Sequence, residues 1–543
     1  MTGMAVAFTV LFPIVLAGLL AGVDRRFPDA ARIINLAGVS ILFAAVAVLL
    51  FSPVGNTPVV VELGNWPAPF GIVWVFDRLS GLMLMLTSSV ALMALLYAIK
   101  TGEDKRGPHF HALFQAQLFG LNGAFLTGDL FNLFVFLEVL LLASYGLLLH
   151  GGGKFRTRGG LHYVIINLVG STLFLFAVGT LYGVVGTLNI ADLALKLPDV
   201  PADRVPLVVA AFFLLFTVFL IKAAAFPLYL WLPGAYAYAP VPIAALFAIM
   251  TKIGLYAILR VDSAILADNY IGPLPSHDLI TPWLLWLGLI TLLFAAIGVM
   301  AARFMRGQVA YLIIASVGTI LIALGIDGST RDVAVSGALY YWIHTTILSA
   351  GMFLLAGWIM QNRPQQGDTI EPAPPMPNPI LIGGLFFAYA IAMAGLPPLT
   401  GFIGKVMILF AAVDNPMTVP VFAAILFSSL LLIVALARTG SVIFYQTRVP
   451  AAKQTGDGND NPNFSAQEGN TFLPKGPISY AVYLPMALTA AMVIFANPVT
   501  QWLDNTALQI ADRQAYVDAV MPDGILDPED FIEPGYELDY LED

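Results

Sequence analysis

The sequence contains no cysteine. That absence excludes a disulfide framework, a thiolate metal site, an iron–sulfur cluster and a cysteine nucleophile. Charge is almost as scarce: Asp, Glu, Lys and Arg make up 11% of the 543 residues, against about 25% in a soluble domain. The sequence also lacks HExxH, GxSxG, a Walker loop and a haem-type histidine pair in facing spans, so hydrolase, nucleotide-driven and haem chemistry have no visible carrier. No basic footprint for nucleic acid is present. What is abundant is apolar surface, with 59% hydrophobic residues. This composition describes a polytopic, all-α integral membrane protein that lives in a lipid bilayer. The first apolar run has no short hydrophobic core ending in a small-residue cleavage site, so it reads as a retained helix.

The net charge of −9 describes one segment. Residues 501–543 hold twelve acidic groups and one basic group, Arg513, whereas the rest of the chain carries 24 basic and 22 acidic groups. The acidity therefore belongs to an extramembrane tail. A membrane span needs about 20 apolar residues. Fourteen runs qualify, at about 4–23, 33–52, 79–99, 109–127, 130–149, 160–184, 205–231, 241–260, 281–301, 308–326, 333–359, 379–413, 418–446 and 477–497. Two β-rich runs around a Gly/Pro turn predict a small surface β-hairpin at 57–76. NIADLALKL at 189–197 predicts a short amphipathic interfacial helix. Residues 447–476 read as an extramembrane loop, 477–497 as the last span and 498–543 as the acidic tail.

Lysine and arginine mark the cytoplasmic loops. With both termini placed outside, the inner loops collect sixteen basic residues and the outer segments six, leaving Lys222, Lys252 and Lys405 inside the membrane. Charge at that depth is expensive, roughly 2.5–3.5 kcal/mol on lenient scales. Five ionisable groups nevertheless sit there: Glu138, Lys222, Lys252, His344 and Lys405. Snorkelling suits Arg260 and Arg438 near span ends, but it fits the three lysines poorly, because each has apolar sequence on both sides. A structural ion pair is the bland alternative. Ser336, Tyr340 and His344 recur every four residues and share one helix face. Such groups can pass protons, because burial and a neighbouring carboxylate push an amine in opposite directions and histidine relays through both ring nitrogens.

Prolines interrupt the same regions. Pro227 and Pro233 follow Lys222, and Pro397 and Pro398 precede Lys405. Unwound backbone at membrane depth is tolerated where it is buried in protein or lines a wet cavity. One interrupted span in each half points to inverted transporter repeats, with a simple proline kink as the alternative. Lys222 precedes its break and Lys405 follows, so the halves do not superpose residue by residue. His109 and His111 read as interfacial polar residues, not metal ligands, and Asp129 as a helix N-cap.

These residues carry a resemblance. Glu138 in TGDLFNLFVFLEVLLLASYGLLL, Lys222 with FPLYLWLPGAYAYAPVPIAAL, TKIGLYAILR around Lys252 and AGLPPLTGFIGK around Lys405 resemble the antiporter-like membrane subunits shared by respiratory complex I, membrane-bound hydrogenases and Mrp-type antiporters. The first and third look most like the D-type subunit of the Mrp antiporters. The resemblance covers about residues 75–445. It implies helices 1–3 with the hairpin at 1–108, a first inverted repeat of spans 4–8 at 109–263 and a second of spans 9–13 at 281–446, with helices 7 and 12 discontinuous. It implies that Glu138 partners Lys222, that Lys252 and His344 relay, and that Lys405 connects to the far side. It implies no redox cofactor in this subunit, other membrane subunits as partners, H⁺ as the transported ion, Na⁺ exchanged by the complex, and a multi-pass place in the cell membrane. Some relatives carry Glu where this chain has Lys405, which leaves its exit route open. A proton-pumping role in complex I or a hydrogenase is the alternative function. A membrane enzyme or a passive scaffold is disfavoured by the missing catalytic groups and by the buried charges.

Overall fold

The computed structural model describes residues 2–447, 479–522 and 524, apart from Arg25, 53–56, Pro67 and 277–278. Nearly all of the loop expected at 447–476, and residues 525–543 of the tail, lie outside the described residues.

Helices α1 (Thr2–Val23) and α2 (Pro28–Phe51) lead to a hairpin of β1 (Val59–Glu62) and β2 (Val73–Phe76). The hairpin is antiparallel, with Val59 opposite Phe76. Then come α3 (Arg78–Thr101), α4 (Phe110–Leu126), α5 (Leu130–Leu149), α6 (Lys154–Val185) and the short α7 (Ile190–Lys196). The seventh span is split into α8 (Val205–Ala223) and α9 (Trp231–Tyr238). The eighth span, Val241–Leu266, holds α10 (Val241–Leu246) and α11 (Met250–Val261) and is wholly enclosed by the others. A two-residue-stranded hairpin, β3 (Tyr270–Ile271) and β4 (Leu274–Pro275), precedes α12 (Thr281–Ala301), α13 (Met305–Leu324) and α14 (Arg331–Asn362). The twelfth span is split into α15 (Pro379–Ala394) and α16 (Thr400–Ala411), followed by α17 (Thr418–Gly440), α18 (Ser479–Ile494), α19 (Ala496–Ala511) and α20 (Arg513–Val520).

Eleven described helices are long and apolar enough to cross a membrane by themselves. The fourteen-span fold adds the broken α15–α16 pair, α18, and α4, which has only 17 residues. α4 is short and carries Gln115, Gln117 and Asn122 because these side chains face protein: Gln115 donates to Asn35 Oδ1 at 2.6 Å and Asn122 to the Thr9 carbonyl at 2.8 Å. Asp77 caps α3 in a reciprocal capping box with Ser80, and Asp129 caps α5 through the Asn132 amide, as expected. Burial pushes the Asp129 carboxyl up to about 6, against backbone amides at Asn132 and Phe131 that pull it down.

The loops segregate onto two faces. One face gathers Asp104 with Arg32, Glu103 with Arg106 and Arg306 with Asp368. The other gathers the β1–β2 hairpin, Asp77 with Arg260, and Asp262 with Arg331. The two halves of the chain repeat one another across these faces. Leu130 N–H bonds the Leu188 carbonyl while Ile190 N–H bonds that of Gly128; Met305 N–H bonds the Asp368 carbonyl while Ile370 N–H bonds that of Arg303. The first reciprocal pair opens α5 beside the hairpin, where Trp74 bridges Thr127. The second opens α13 on the opposite face, where the Phe304 ring lies 6.1 Å from Tyr238. Spans 5–6 and spans 10–11 are thus tied in the same way on opposite faces, the arrangement that inverted repeats require.

Four expectations change in detail. Arg260 does not snorkel: it is buried and bonds Asp77 at 2.6 Å, because the α3 cap brings a carboxylate to the end of α11. His111 is buried, 2.8 Å from Asn35 and 3.3 Å from Asp104, instead of interfacial. Helix α7 packs its Ile190–Ala194 stretch inside protein. The first part of the tail is folded: α19 turns 85° from α18 and lies across the hairpin face.

A buried pair that loses one partner leaves an uncompensated charge, which costs about 3–5 kcal/mol. Asp77→Ala is therefore expected to destabilise the protein by about that much, read as a lower unfolding temperature of the detergent-solubilised protein. Arg438→Ala, at an exposed position in the last turn of α17, is the control and should change little.

Candidate functional site

The site begins at the break in the seventh span. Helix α8 ends because Ala224 adopts a left-handed backbone, φ 58°. The cap closes with Ala224 N–H on Ile221 O at 3.1 Å and Ala225 N–H on Leu220 O at 3.0 Å. Trp231 Nε1 donates to the Ile221 carbonyl as well, at 3.1 Å, and Thr291 Oγ1 accepts from Phe226 N–H at 3.0 Å. The unwound stretch is therefore satisfied from within the protein, as backbone at this depth must be. Pro227 lies in the break. Pro233 does not: it sits in the first turn of α9, where a missing N–H costs nothing.

Helix α15 ends in the same way. Gly395 has φ 80°, Gly395 N–H bonds Ala392 O at 3.1 Å, and Leu396 N–H bonds Ile391 O at 3.2 Å. In each break a proline stands three residues after the left-handed residue: Pro227 after Ala224, and Pro398 after Gly395, with Pro397 just before it. From the left-handed residue to the proline the two breaks therefore match residue for residue, although the first runs on longer before its second half-helix begins. The lysines do not match, and the geometry says why. Lys222 lies in the last turn of its own half-helix, α8. Lys405 follows its break but reaches back across it, donating from Nζ to the Ala394 carbonyl at the end of α15 at 2.9 Å. Both lysines serve the carboxyl end of a half-helix, where the backbone dipole favours a cation.

Each of the five ionisable groups has a neutral partner. Glu138 on α5 accepts a hydrogen bond from Ser171 Oγ on α6. Lys222 Nζ donates to Asn167 Oδ1 at 3.1 Å, one turn before Ser171 on the same helix. Lys252 Nζ donates to Ser316 Oγ on α13 at 2.7 Å. His344 Nδ1 lies 2.6 Å from Thr400 Oγ1 at the start of α16, and its Nε2 has no hydrogen-bond partner. Lys405 Nζ also donates to Ser429 Oγ on α17 at 2.8 Å. The direct Glu138–Lys222 pair that the resemblance implied is not formed: Asn167 and Ser171 stand between the charges, which still act on each other electrostatically. Among the described residues no ion pair joins any two of the five.

The groups are electrostatic neighbours: Glu138 acts on Lys222, and Lys252 and Lys405 act on His344. A cavity of about 20 Å³, room for about one water molecule, is lined by Asn167, Lys222, Trp231 and by Met250 and Ile253, which bracket Lys252. A Cβ on Gly401 would stand 2.8 Å from His344 Nε2, so the imidazole abuts the second break directly. No cluster of His, Cys, Asp or Glu among the described residues could hold a metal ion. The partners Asn167, Ser171, Ser316, Thr400 and Ser429 do not stand out in the sequence. Their only signal is the spacing of Asn167 and Ser171, four residues apart in an apolar run, which puts both on one face.

Sequence and structure comparisons give one answer. Residues 127–432 match the family described as NADH:quinone oxidoreductase/Mrp antiporter, TM. The chain is 40% identical over 430 residues to the D-type subunit of the probable K⁺/H⁺ antiporter of Rhizobium meliloti (75% of this chain, 78% of the relative). It is 36% identical over 492 residues to the D-type subunit of the Na⁺/H⁺ antiporter of Alkalihalophilus pseudofirmus (88% and 93%). Its structure is similar to a chain of the Mrp complex from Dietzia sp. DQ12-45-1b, with a TM-score of 0.80, 26% identity and coverage of 96% and 99%. It shares its fold with a chain of respiratory complex I from Thermus thermophilus, with a TM-score of 0.71, 22% identity and coverage of 94% and 99%.

Lys222 and Lys252 stand on helices in backbone contact. A Cβ on Gly254 would fall 2.4 Å from Ala223 N and 2.5 Å from Phe219 O. Gly254→Ala is expected to force α8 and α11 apart at a cost of about 1–3 kcal/mol. Gly183→Ala, with nothing within 4 Å of the new Cβ, should be neutral or slightly stabilising. Thermal unfolding of the two purified variants checks the contrast.

Proposed function

The chain belongs to the NADH:quinone oxidoreductase/Mrp antiporter family, and from that premise we propose that it is the proton-conducting subunit of a multisubunit cation/proton antiporter. The observation that supports this reading best is the set of five ionisable groups, four of them buried and Glu138 half-buried, held by neutral hydrogen-bond partners. A hydroxyl or amide can hydrogen-bond either protonation state of its neighbour, whereas a fixed counter-charge locks one state in place. In this reading Glu138, Lys222, Lys252, His344 and Lys405 exchange protons in sequence. Asn167 and Ser171 separate Glu138 from Lys222 until water or a side-chain movement joins them.

The half-helix breaks around Pro227 and around Pro397 and Pro398 give the line its access to water. The two repeats that carry it run from 109 to 263 and from 281 to 446. The basic face is cytoplasmic, so the hairpin, α19 and both termini lie outside. Other membrane subunits are the partners, as in the multisubunit complex of the Dietzia relative. The exchanged cation is Na⁺ or K⁺, the two ions named for the relatives. H⁺ is the ion that this subunit carries, because the deep site offers one carboxylate and no oxygen cage for a metal cation. A redox-driven relative would copurify with redox subunits; their appearance in a pull-down of this chain would move it to the complex I branch.

Lys222→Ala should reduce ΔpH-linked cation exchange in membrane vesicles by about 10²-fold or more, the scale of a lost acid–base group, while the other subunits still copurify. Lys405→Ala should impair exchange as well. Wild-type rates in Lys222→Ala would sink the relay, and wild-type rates in Lys405→Ala would shift its far end elsewhere.

A further inference from the structure

The line of ionisable groups leaves His344 well below the hairpin face. We propose that Asp504, on the amphipathic helix α19, is the surface carboxylate through which this line trades protons with water, and that the Ser336 hydroxyl hands them across. The inference rests on the proton-conducting reading above and extends it to a residue in the folded part of the tail.

Ser336, Tyr340 and His344 occupy one face of α14 at four-residue spacing and are all fully buried. Eight residues of helix cover about 12 Å, so this column carries polar groups from the second break to the edge of the membrane-embedded body. At its upper end Ser336 Oγ donates to Asp504 Oδ1 at 2.5 Å. Asp504 itself is exposed. One turn lower, the Tyr340 hydroxyl donates to the Met492 carbonyl of α18 at 3.3 Å. The two polar side chains above His344 therefore meet α18 and α19, and one of them meets a carboxylate open to solvent.

The transfer balances simply. Asp504 takes the proton of the Ser336 O–H as the serine oxygen accepts one from a water below it; that water draws its proton from His344, which Lys252 or Lys405 then resupplies. The neutral Asp504 carboxyl then releases its proton to bulk water and regains its charge. Uptake runs the same steps in reverse.

A tether is the plain alternative for this contact, and the rest of α19 argues against it. The helix is already fixed on both sides of Asp504. The Arg78 guanidinium lies 5.4 Å from the Trp502 ring, Arg78 N–H donates to Gln509 Oε1 at 2.9 Å, and Leu503, Thr506, Ala507 and Ile510 are buried beneath it. Asp504 is not needed to hold the helix down.

The test is Asp504→Asn, which keeps an oxygen acceptor for Ser336 but cannot exchange a proton. Cation exchange is measured in vesicles carrying the whole complex, beside Asp504→Glu, Ser336→Ala and Lys222→Ala. A buried acid–base group is worth about 10²–10⁴-fold; surface water replaces part of that here, so a drop of about tenfold in maximal rate is expected in Asp504→Asn. Apparent cation affinity and subunit copurification should not change. Asp504→Glu should restore the rate, and so should a high concentration of an impermeant morpholine buffer, which takes over proton exchange at the surface. Ser336→Ala should slow exchange too, and it serves where Asp504→Asn fails to assemble.

A wild-type rate in Asp504→Asn or Ser336→Ala overturns the proposal. So does a loss in Asp504→Asn that neither glutamate nor buffer repairs, which would mark a tether. If Lys222→Ala alone is inactive, the outlet fails and the antiporter reading stands; if Lys222→Ala is also fully active, that reading falls with it.

Discussion

Every part of the fold answers one constraint: a charge in the membrane interior must be satisfied without being neutralised for good. The described structure does this with hydroxyls, an amide and a helix-end carbonyl. Lys222 has Asn167, Lys252 has Ser316, and Lys405 has Ser429 and the Ala394 carbonyl. None of these partners carries a charge. By contrast, Asp77–Arg260 and Arg306–Asp368, near the two faces, are true ion pairs with bonds of 2.6 and 3.0 Å. Permanent pairs fasten the ends of the spans, and exchangeable contacts occupy the middle. The enclosed eighth span carries both kinds, Lys252 at mid-depth and Arg260 two turns later.

The five ionisable residues are legible because charge is so rare in this chain that each one stands out against its apolar surroundings. Their partners are not. Serine and threonine inside a helix usually bond their own backbone, as Ser316 and Ser429 also do here, so nothing in the sequence separates a partner from a spectator. Arg260 shows a second limit. Its partner, Asp77, is 183 positions away, and a position near a span end suggests snorkelling unless the α3 cap is known to place a carboxylate beside it. The fold class, the hairpin and the split seventh and twelfth spans follow from apolar run length and proline placement. The folded tail does not, because the whole-segment charge of 501–543 hides the amphipathic first turns that pack on the body.

Glycine and backbone contacts set the spacing that the site needs. Gly254 lets α11 touch the α8 backbone, and Gly401 lets the start of α16 touch His344. Lysines on long stems can then reach neutral acceptors on the next helix without opening a wide cavity, and the space left beside Lys222 holds about a single water.

The matched breaks show where the two halves keep their likeness. The hydrogen bonds that end α8 and α15 are the same pair, drawn at the same separation from the following proline, although Ala224 stands in one and Gly395 in the other and the lysines have taken opposite sides. What the two breaks share is written in main-chain bonding, while the side chains around it differ. A comparison of the two breaks by residue identity sets Ala224 against Gly395 and Lys222 against Met393; one that follows carbonyls and amides finds the same turn in both.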